Sequence, residues 1–489
     1  MTLTVRRLLE AIKAYNPKAD FDLVERVYNF AENAHNGQKR ATGVDYIQHS
    51  LGTAINLAEL KLPLPIVLAG LLHDVPEDTK VTLDEIKKEF GADIAKMVEG
   101  ITKLSRVKYR GIDRYAGNLR RMFIAMAEDI RVILIKFADR LNNLQTLYAL
   151  PADKQKRIAL ETLEIYTPIA NRLGIGELQS RLEDASLKYA YPEEFIKVEQ
   201  LIKSHFPQKK KTLNNMVKKL KLRLDKENVK YDEIYGRTKH YYSFYRKWIK
   251  YHRDINQIYD LIALRVIVPS VADCYAVLGV VHNLWRPIRG RIKDYVAQPK
   301  PNGYQSLHTA VFSDDQEIVE IQIRTQEMQE QAEYGIAAHW KYKETKTGDV
   351  SKQEFQWVSE LANWLKTVKD NASFLEGAKI DVFQNRIFVF TPHGDVIDLP
   401  DGATPVDFAY HIHTEIGNKC SRAMVNNEQV SLDRPLKNGD VVQIVTDKNR
   451  KGPNPDWEKF VKTRTAHQHI ENFKNKSWKK IIPTFGKKD

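Results

Sequence analysis

LLHDVPEDT, Leu71 to Thr79, sets a histidine and three acids within one helical stretch. On a helix, residues four apart share a face, so Glu77 is expected over His73 and Asp78 over Asp74. Apolar residues recur at helical spacing nearby, as at Leu51, Ala54, Ile55 and Ala58, and up to about Ala190 proline and glycine fall mainly between such stretches. This part of the chain reads as an all-helical bundle. A second histidine, His49, follows Tyr46-Ile47-Gln48, and a further acid, Asp139, lies in KFADRLNN with Asn143 one turn beyond it. Imidazole and carboxylate together suit a Mn-like or Fe-like ion with open positions for water and phosphate, whereas a closed structural zinc site favours cysteines. Such an ion lowers the pKa of its water and polarises a phosphoryl oxygen, and Glu77 or Asp78 can orient or deprotonate that water. A lone His-Asp pair on a helix is more often structural. The full set of His49, His73, Asp74 and Asp139 with two flanking acids points to a metal phosphohydrolase.

The chain has 489 residues, too many for one core, and the usual domain size implies roughly three or four domains. Its 43% apolar and 28% charged residues are those of a folded soluble protein. A net charge of +13 and a pI near 9.3 fit an anionic partner, a nucleotide or RNA, without choosing between them. No span of about 20 apolar residues occurs, and Met1 to Lys13 lacks the apolar run of a signal peptide, so no membrane association is expected. Cys274 and Cys420 fit reduced thiols better than a disulfide framework. A cytoplasmic enzyme is the simplest reading.

From Phe195 to Lys230 the sequence is helical and very basic, with Lys209 to Lys211, Lys218, Lys219, Lys221 and Arg223; a solvated helix face explains it. From Tyr259 to Ile323 the pattern changes to β-branched runs, YDLIALRVIV and EIVEIQI, around a helical segment from Asp273 to Leu284, which marks an α+β domain. Ahead of it, GRTKHYYSFYRK (Gly236 to Lys247) mixes cations with aromatic rings, a composition equally suited to a nucleotide or an RNA face. Asp260 opens the first strand. In VEIQIRT the alternation puts Glu320, Gln322 and Arg324 on one face and Ile321 and Ile323 on the other. Such a pair of acids can hold Mg²⁺ and accept a hydroxyl proton in phosphoryl transfer.

Taken together, HNGQKRATGVDYIQHS (His35 to Ser50), HDVPEDT and KFADRLNNLQTL resemble the HD superfamily of metal phosphohydrolases, more narrowly the hydrolase domain of the Rel/SpoT alarmone enzymes. The resemblance implies removal of the 3′-pyrophosphate of ppGpp or pppGpp with Mn²⁺: His49, His73, Asp74 and Asp139 as ligands, Glu77 and Asp78 serving the attacking water, Arg40 on the guanine, and Asn143 with Arg140 holding the nucleotide. Ser50, Pro76 and Asn142 depart from the residues usual there, a proline, an aliphatic residue and a histidine. Pro76 bears on the placement of Glu77 and Asp78, although proline is tolerated in a first turn. GRTKHYYSFYRK, RIKDYVAQPKPNGYQSLHT (Arg291 to Thr309) and AEYGIAAHWKYKE resemble the synthetase domain of the same family, which transfers pyrophosphate from ATP to the 3′-hydroxyl of GDP or GTP. That resemblance implies Mg²⁺ on Asp260, Glu320 as the base or Mg²⁺-assisting acid, and ATP held by Arg237, Lys239, Ser243 and Lys247. It further implies Lys293 on phosphates, Tyr304 stacked on the acceptor guanine, and Lys300, Asn302 and His308 completing the acceptor side. RIKD is the basic form found in bifunctional members.

Residues 381 to 446, with NGDVVQIVT turning at Asn438-Gly439, resemble a TGS domain, the small β-grasp module that in long members contacts deacylated tRNA; His413 in HIHTEIG is the tRNA candidate, or packs at a helix end. The expected fold class is multidomain α+β: an all-helical HD-type hydrolase domain (1–195), a mixed α/β nucleotidyltransferase-like synthetase domain with the basic helix at its start (196–345), a helical connector (346–380), a β-grasp TGS domain (381–447) and the truncated start of a helical domain (448–489). No cysteine cluster or ACT-like pattern follows, so a C-terminally short form is expected. A hydrolase with a regulatory synthetase fold, and a noncatalytic tRNA or ribosome adaptor, are the alternatives.

Overall fold

The computed structural model describes residues 3–105, 112–238, 240–255, 258, 262–300, 302–335, 338, 386–392, 396–437, 439–450 and 452–479. Lys239, Asp260, Asn438 and the expected connector lie outside them. The chain forms two compact units, Met1–Thr367 and Val368–Asp489.

The first unit opens with helices α1 (Val5–Lys13), α2 (Phe21–Ala34), α3 (Ile47–Glu59), α4 (Leu64–Leu72), α5 (Val75–Asp78), α6 (Leu83–Phe90), α7 (Ala92–Ser105), α8 (Ile112–Glu128), α9 (Ile130–Gln145), α10 (Ala152–Glu161), α11 (Thr167–Arg172) and α12 (Gly176–Ala190). A π-helical turn, Thr162–Tyr166, joins α10 to α11. The apolar run of α4 is buried throughout Ile66–Leu72, and α3 buries every residue from His49 to Ala58. These two and α9 form the centre of the bundle. Gly52 and Gly70 permit that closeness: a β-carbon at Gly52 would overlap Asn142 of α9, and one at Gly70 would overlap Leu57 of α3.

The expected single helix through His73 to Asp78 is not what forms. Helix α4 stops at Leu72, His73 and Asp74 make a turn, and α5 restarts with Pro76 in its first turn. Proline has no N–H to give the Leu72 carbonyl four residues back, so the helical hydrogen bonding that would carry α4 onward is interrupted there.

Next comes the basic helix α13 (Pro192–Lys226), then a five-stranded sheet in the order β1-β2-β5-β4-β3. The elements are β1 (Glu233–Thr238), α14 (Tyr241–Lys250), β2 (Ile262–Val268), α15 (Val271–Leu284), β3 (Lys293–Asp294), β4 (Leu307–Phe312), β5 (Ile318–Thr325) and α16 (Gln326–Tyr334). Strand β5 runs parallel to β2 and antiparallel to β4. One face of the sheet, with Ile234, Leu264, Val266, Ile321, Ile323 and Leu307, is buried together with residues of α13 and α15. Part of the basic charge of α13 is spent locally: Lys209 meets Glu317 at 3.0 Å and Lys219 meets Asp314 at 2.8 Å in the β4–β5 hairpin.

The second unit contains β6 (Arg386–Phe390), β7 (Val396–Pro400), α17 (Pro405–Ile412), α18 (Thr414–Lys419), β8 (Cys420–Val425), β9 (Glu428–Val430), β10 (Val442–Thr446) and α19 (Arg464–Lys479). Its fully buried Asp407 accepts hydrogen bonds from Thr404 N and Oγ1 and from Lys462 N, Thr463 N and Thr463 Oγ1, at 2.6–2.9 Å. That carboxylate fastens α17 to the segment preceding α19. Replacing it leaves buried donors without an acceptor, so Asp407→Ala is expected to destabilise this unit by about 3 kcal/mol. The denaturation midpoint followed by fluorescence of the buried Trp457 checks it; an unchanged midpoint would refute the assignment.

Candidate active sites

Helices α3, α4, α5 and α9 bring the first set of polar residues together. His49 Nε2 lies 3.3 Å from Asp74 Oδ2 and 3.2 Å from Asp139 Oδ1, and His73 Nε2 lies 3.2 Å from Asp74 Oδ2. Ligand atoms of His49, His73 and Asp74 all fall within 4.8 Å of one another, and Asp139 joins them through His49. Both imidazoles are oriented from behind. His73 Nδ1 is 2.7 Å from the Gly70 carbonyl and therefore donates to it, while His49 Nδ1 donates to Asn142 Oδ1 at 2.7 Å. Each Nε2 is thereby turned toward the carboxylates, and His73 Nε2 is a buried polar atom with no hydrogen bond. A divalent cation fits this donor set. Asn142, one of the three departures, thus supplies the orienting acceptor. Pro76, another, sits where a helix accepts it. Nothing in the structure explains Ser50, whose buried hydroxyl has no hydrogen-bond partner.

The electrostatics suit a cation. Burial works against ionisation of Asp74, but His73 and His49 hold its carboxyl well below the usual range. Burial opposes ionisation of Asp139 as well, and Lys136 at 2.7 Å with His49 overcomes it. Burial pulls the His49 imidazole down, yet the two carboxylates on Nε2 raise it to about 9. A cation taking that nitrogen must displace its proton, so binding there strengthens as pH rises.

A cavity of about 300 Å³ opens beside Asp139, lined by Arg40, Lys136, Arg140, Asn143, Thr146 and Leu150 among others. Arg40 donates to Asn143 Oδ1 at 2.7 Å, and Asn143 donates to Asp139 Oδ1 at 2.5 Å. Arg140 is anchored to Glu161 and Tyr166 around the π-helical turn, at 3.0 and 2.7 Å. Glu77 and Asp78 are exposed on α5, and Asp78 Oδ2 accepts from Tyr46 at 2.6 Å. Tyr46 and Lys136 escape sequence reasoning, because a single tyrosine or lysine inside a helical pattern carries no spacing signal.

The second set lies on the polar face of the sheet. Tyr235, Arg265, Gln322, His308 and Lys293 stand in one register row across all five strands, and Arg237, Ala263, Glu320 and Ala310 form the next row. Cations thus hold both edges, with Glu320 between them. Glu320 Oε1 accepts from Gln322 Nε2 at 2.8 Å and lies 3.0 Å from His308 Nδ1, while His308 Nε2 is 2.7 Å from the Tyr304 hydroxyl. Burial holds His308 below its ordinary value despite Glu320, which favours the neutral ring between Glu320 and Tyr304. Lys300 lies over the Tyr304 ring at 5.1 Å, and Asn302 reaches across to donate to the Asn171 carbonyl at 3.2 Å. Ser243 and Lys247 sit one turn apart on α14.

Arg265 and Arg324, 4% and 1% exposed, are further cations on this face, and each has a buried Nε without a hydrogen bond. Burial, with Arg265 and Arg237 nearby, pulls the Arg324 guanidinium down to about 10. Glu333 lies 3.4 Å from Arg265 and balances part of this buried charge within the protein. The signal was an arginine interrupting an apolar strand, which alternation alone assigned merely to a face. Asp294 of RIKD turns away from the row, accepting from Tyr275 Oη and from the N–H groups of Val296 and Ala297 at 2.8–3.0 Å. In the second unit, His413 is exposed at the N-cap of α18, its Nδ1 accepting from Glu415 N at 3.2 Å.

Models of three protein families match the chain: an HD domain over residues 28–176, a region found in RelA / SpoT proteins over 236–347, and a TGS domain over 387–446. A protein of Myxococcus xanthus named GTP pyrophosphokinase is 45% identical over 94% of this chain and 61% of its own length. A guanosine-3′,5′-bis(diphosphate) 3′-pyrophosphohydrolase of Aquifex aeolicus is 44% identical over 98% of this chain and 68% of its own length. The bifunctional (p)ppGpp synthase/hydrolase SpoT of Escherichia coli is 41% identical over 95% of this chain and 66% of its own. The chain therefore spans about two thirds of the length of the curated relatives it matches. A helical HD domain, a mixed-sheet domain and a small TGS domain, joined in this order and with this similarity along nearly its whole length, make the chain a member of the RelA/SpoT family.

Proposed function

We propose that this chain is a bifunctional alarmone enzyme, with GTP pyrophosphokinase activity at the sheet and (p)ppGpp 3′-pyrophosphohydrolase activity in the bundle. The observation that carries this is the coexistence of two separate polar constellations, a histidine–carboxylate cluster beside a cation-lined cavity and a glutamate set between cationic strand edges. The domains would divide as the sequence is expected to.

In the bundle, His49, His73, Asp74 and Asp139 would hold a divalent cation, Mn²⁺ by family resemblance, which supplies Lewis-acid activation of phosphoryl oxygen and water. Asp78 and Glu77, on the exposed face of α5, orient that water and take its proton. Arg40, Asn143 and Arg140 hold the nucleotide in the cavity. The water oxygen bonds to the phosphorus carried on the 3′-oxygen as the 3′-oxygen–phosphorus bond breaks, so pyrophosphate leaves and the 3′-oxygen of GDP or GTP takes up a proton.

At the sheet, Glu320 takes the proton of the acceptor 3′-hydroxyl, its orientation fixed by Gln322 and His308. The 3′-oxygen bonds to the β-phosphorus of ATP, and AMP departs. Arg237, Lys239, Lys247 and Lys293 balance the triphosphate charge, the Ser243 hydroxyl donates to it, Tyr304 stacks on the acceptor purine, and Lys300 and Asn302 close that side. Asp260 would hold Mg²⁺.

The decisive experiment incubates the protein with ATP, GDP and Mg²⁺, and separately with ppGpp and Mn²⁺. Glu320→Gln is expected to lower synthesis by about 10²-fold or more while hydrolysis stays intact, and His73→Ala to do the reverse. Absence of both products from the unaltered chain would refute the proposal.

Opposed reactions in one chain consume ATP without gain, so the two sites are proposed to be coupled. Support comes from α12, where Asp184 contacts His240 at 3.0 Å and the Tyr242 N–H at 2.9 Å at the start of α14, and from the adjoining Asn171 that receives Asn302. A ligand preferred by one arrangement shifts the population toward it. Saturating the sheet site with GDP and nonhydrolysable ATP is expected to change the hydrolysis rate; an unchanged rate would discard the coupling.

For the second unit we propose contact with deacylated tRNA or the ribosome through exposed His413. His413→Ala is expected to weaken binding of deacylated tRNA several-fold, measured at fixed salt, with both chemical activities unchanged. Equal affinity would count against it.

A further inference from the structure

Tyr46 immediately precedes α3, and its hydroxyl lies 2.9 Å from Asp74 Oδ2 and 2.6 Å from Asp78 Oδ2. It is thus the direct link between an expected cation ligand and an expected water-handling acid. The hydroxyl has a single proton and can donate to one carboxylate at a time. Asp74 already faces His49 and His73, whereas Asp78 is exposed on the short α5. Were Asp74 to hold the cation, the hydroxyl would be left to donate to Asp78.

The ring itself is held firmly. It stacks on His35 with centroids 4.6 Å apart and planes at 20°. His35 is buried, and its Nδ1 is 2.9 Å from Gln38 Oε1, while Gln38 Nε2 donates to the Asp78 carbonyl at 2.7 Å. The backbone joins in, with Tyr46 N donating to Gln38 O at 3.0 Å and Tyr46 O accepting from His49 N at 2.9 Å. Asp78 is therefore gripped twice from the same support, at its carboxylate by Tyr46 and at its carbonyl by Gln38. The Arg40 guanidinium lies 5.6 Å from the Tyr46 ring centroid, which closes a circuit through Asn143, Asp139, His49 and Asp74 back to Tyr46.

We propose that Tyr46 is a positioning residue of the hydrolase site, whose hydroxyl fixes the Asp78 carboxylate at a set place beside Asp74. Four residues of helix are too short to hold a carboxylate still, because a short helix lacks the cooperative support of further turns. Tyr46 supplies that rigidity from outside α5. The inference rests on the hydrolase reading and adds to it a residue that orients the water-handling acid without touching the nucleotide chemistry itself.

The test uses the full chain carrying Tyr46→Phe, which keeps the stacked ring and removes only the hydroxyl. Hydrolysis kcat is expected to fall about 10- to 100-fold, in the range of lost supporting hydrogen bonds around metal sites, with KM changed less than about threefold. Mn²⁺ affinity, read from the electron paramagnetic resonance signal of free Mn²⁺, is expected to stay within about threefold, because the hydroxyl is not a ligand. Synthesis from ATP and GDP reports that the variant is folded. Adding Tyr46→Phe to Asp78→Asn should cost nothing further, since the two act as a unit. Undiminished kcat in Tyr46→Phe overturns the proposal, and so does a multiplied loss in the double variant. A fall in Mn²⁺ affinity parallel to kcat also overturns it, because the hydroxyl then serves Asp74 and not Asp78. If the unaltered chain hydrolyses no ppGpp, the hydrolase reading itself fails, an outcome distinct from the other three.

Discussion

The near-contact of α3 with α9 at Gly52 is the constraint on which the bundle site depends. Because no β-carbon intervenes, Asn142 reaches His49 and fixes which ring nitrogen faces Asp74 and Asp139. A larger residue at Gly52 would part the helices and release that imidazole, and the two carboxylates would then face each other without a shared donor. Asp139 meets His49 across the same contact, while Lys136 and Asn143 hold it from its own helix. Packing and electrostatics are here one arrangement: the helices approach closely because polar groups between them are paired, and the polar groups are paired because the helices approach.

The sheet solves a different problem. Its core face is ordinary apolar packing against α13 and α15, while its other face carries arginines almost out of reach of water. Charges of one sign in such a place raise one another's energy and lower the folded state's stability. Glu333, 3.4 Å from Arg265, offsets part of that repulsion within the protein. Tyr304 links the cations to the Glu320 set, with Arg324 5.6 Å and Lys300 5.1 Å from its ring centroid and its hydroxyl hydrogen-bonded to His308.

Much of this was legible from sequence because it rests on short-range periodicity. Strand alternation in VEIQIRT separated Glu320, Gln322 and Arg324 from Ile321 and Ile323, as the register confirms. Helical spacing brought Asp78 near Asp74, although through a turn and a restarted helix, with Tyr46 bridging them, in place of one continuous face. The contributions of Tyr46, Lys136 and Asn142 were illegible, since they follow from which helix crosses which. The buried state of Arg265 and Arg324 was likewise hidden, because a sheet's polar face reads the same in sequence whether water or protein covers it.

The register of β5 has an evolutionary consequence. Its side chains alternate between the apolar core and the row containing Glu320, and it is paired on both sides. A one-residue insertion or deletion would exchange the two faces, putting Glu320 in the core and Ile321 in the cleft. Changes of chain length in this strand therefore cannot erode chemistry while sparing the fold. They remove both together, which confines tolerated length variation to the hairpin around Asp314 and Asp315, where Lys219 and Thr212 of α13 hold it from outside.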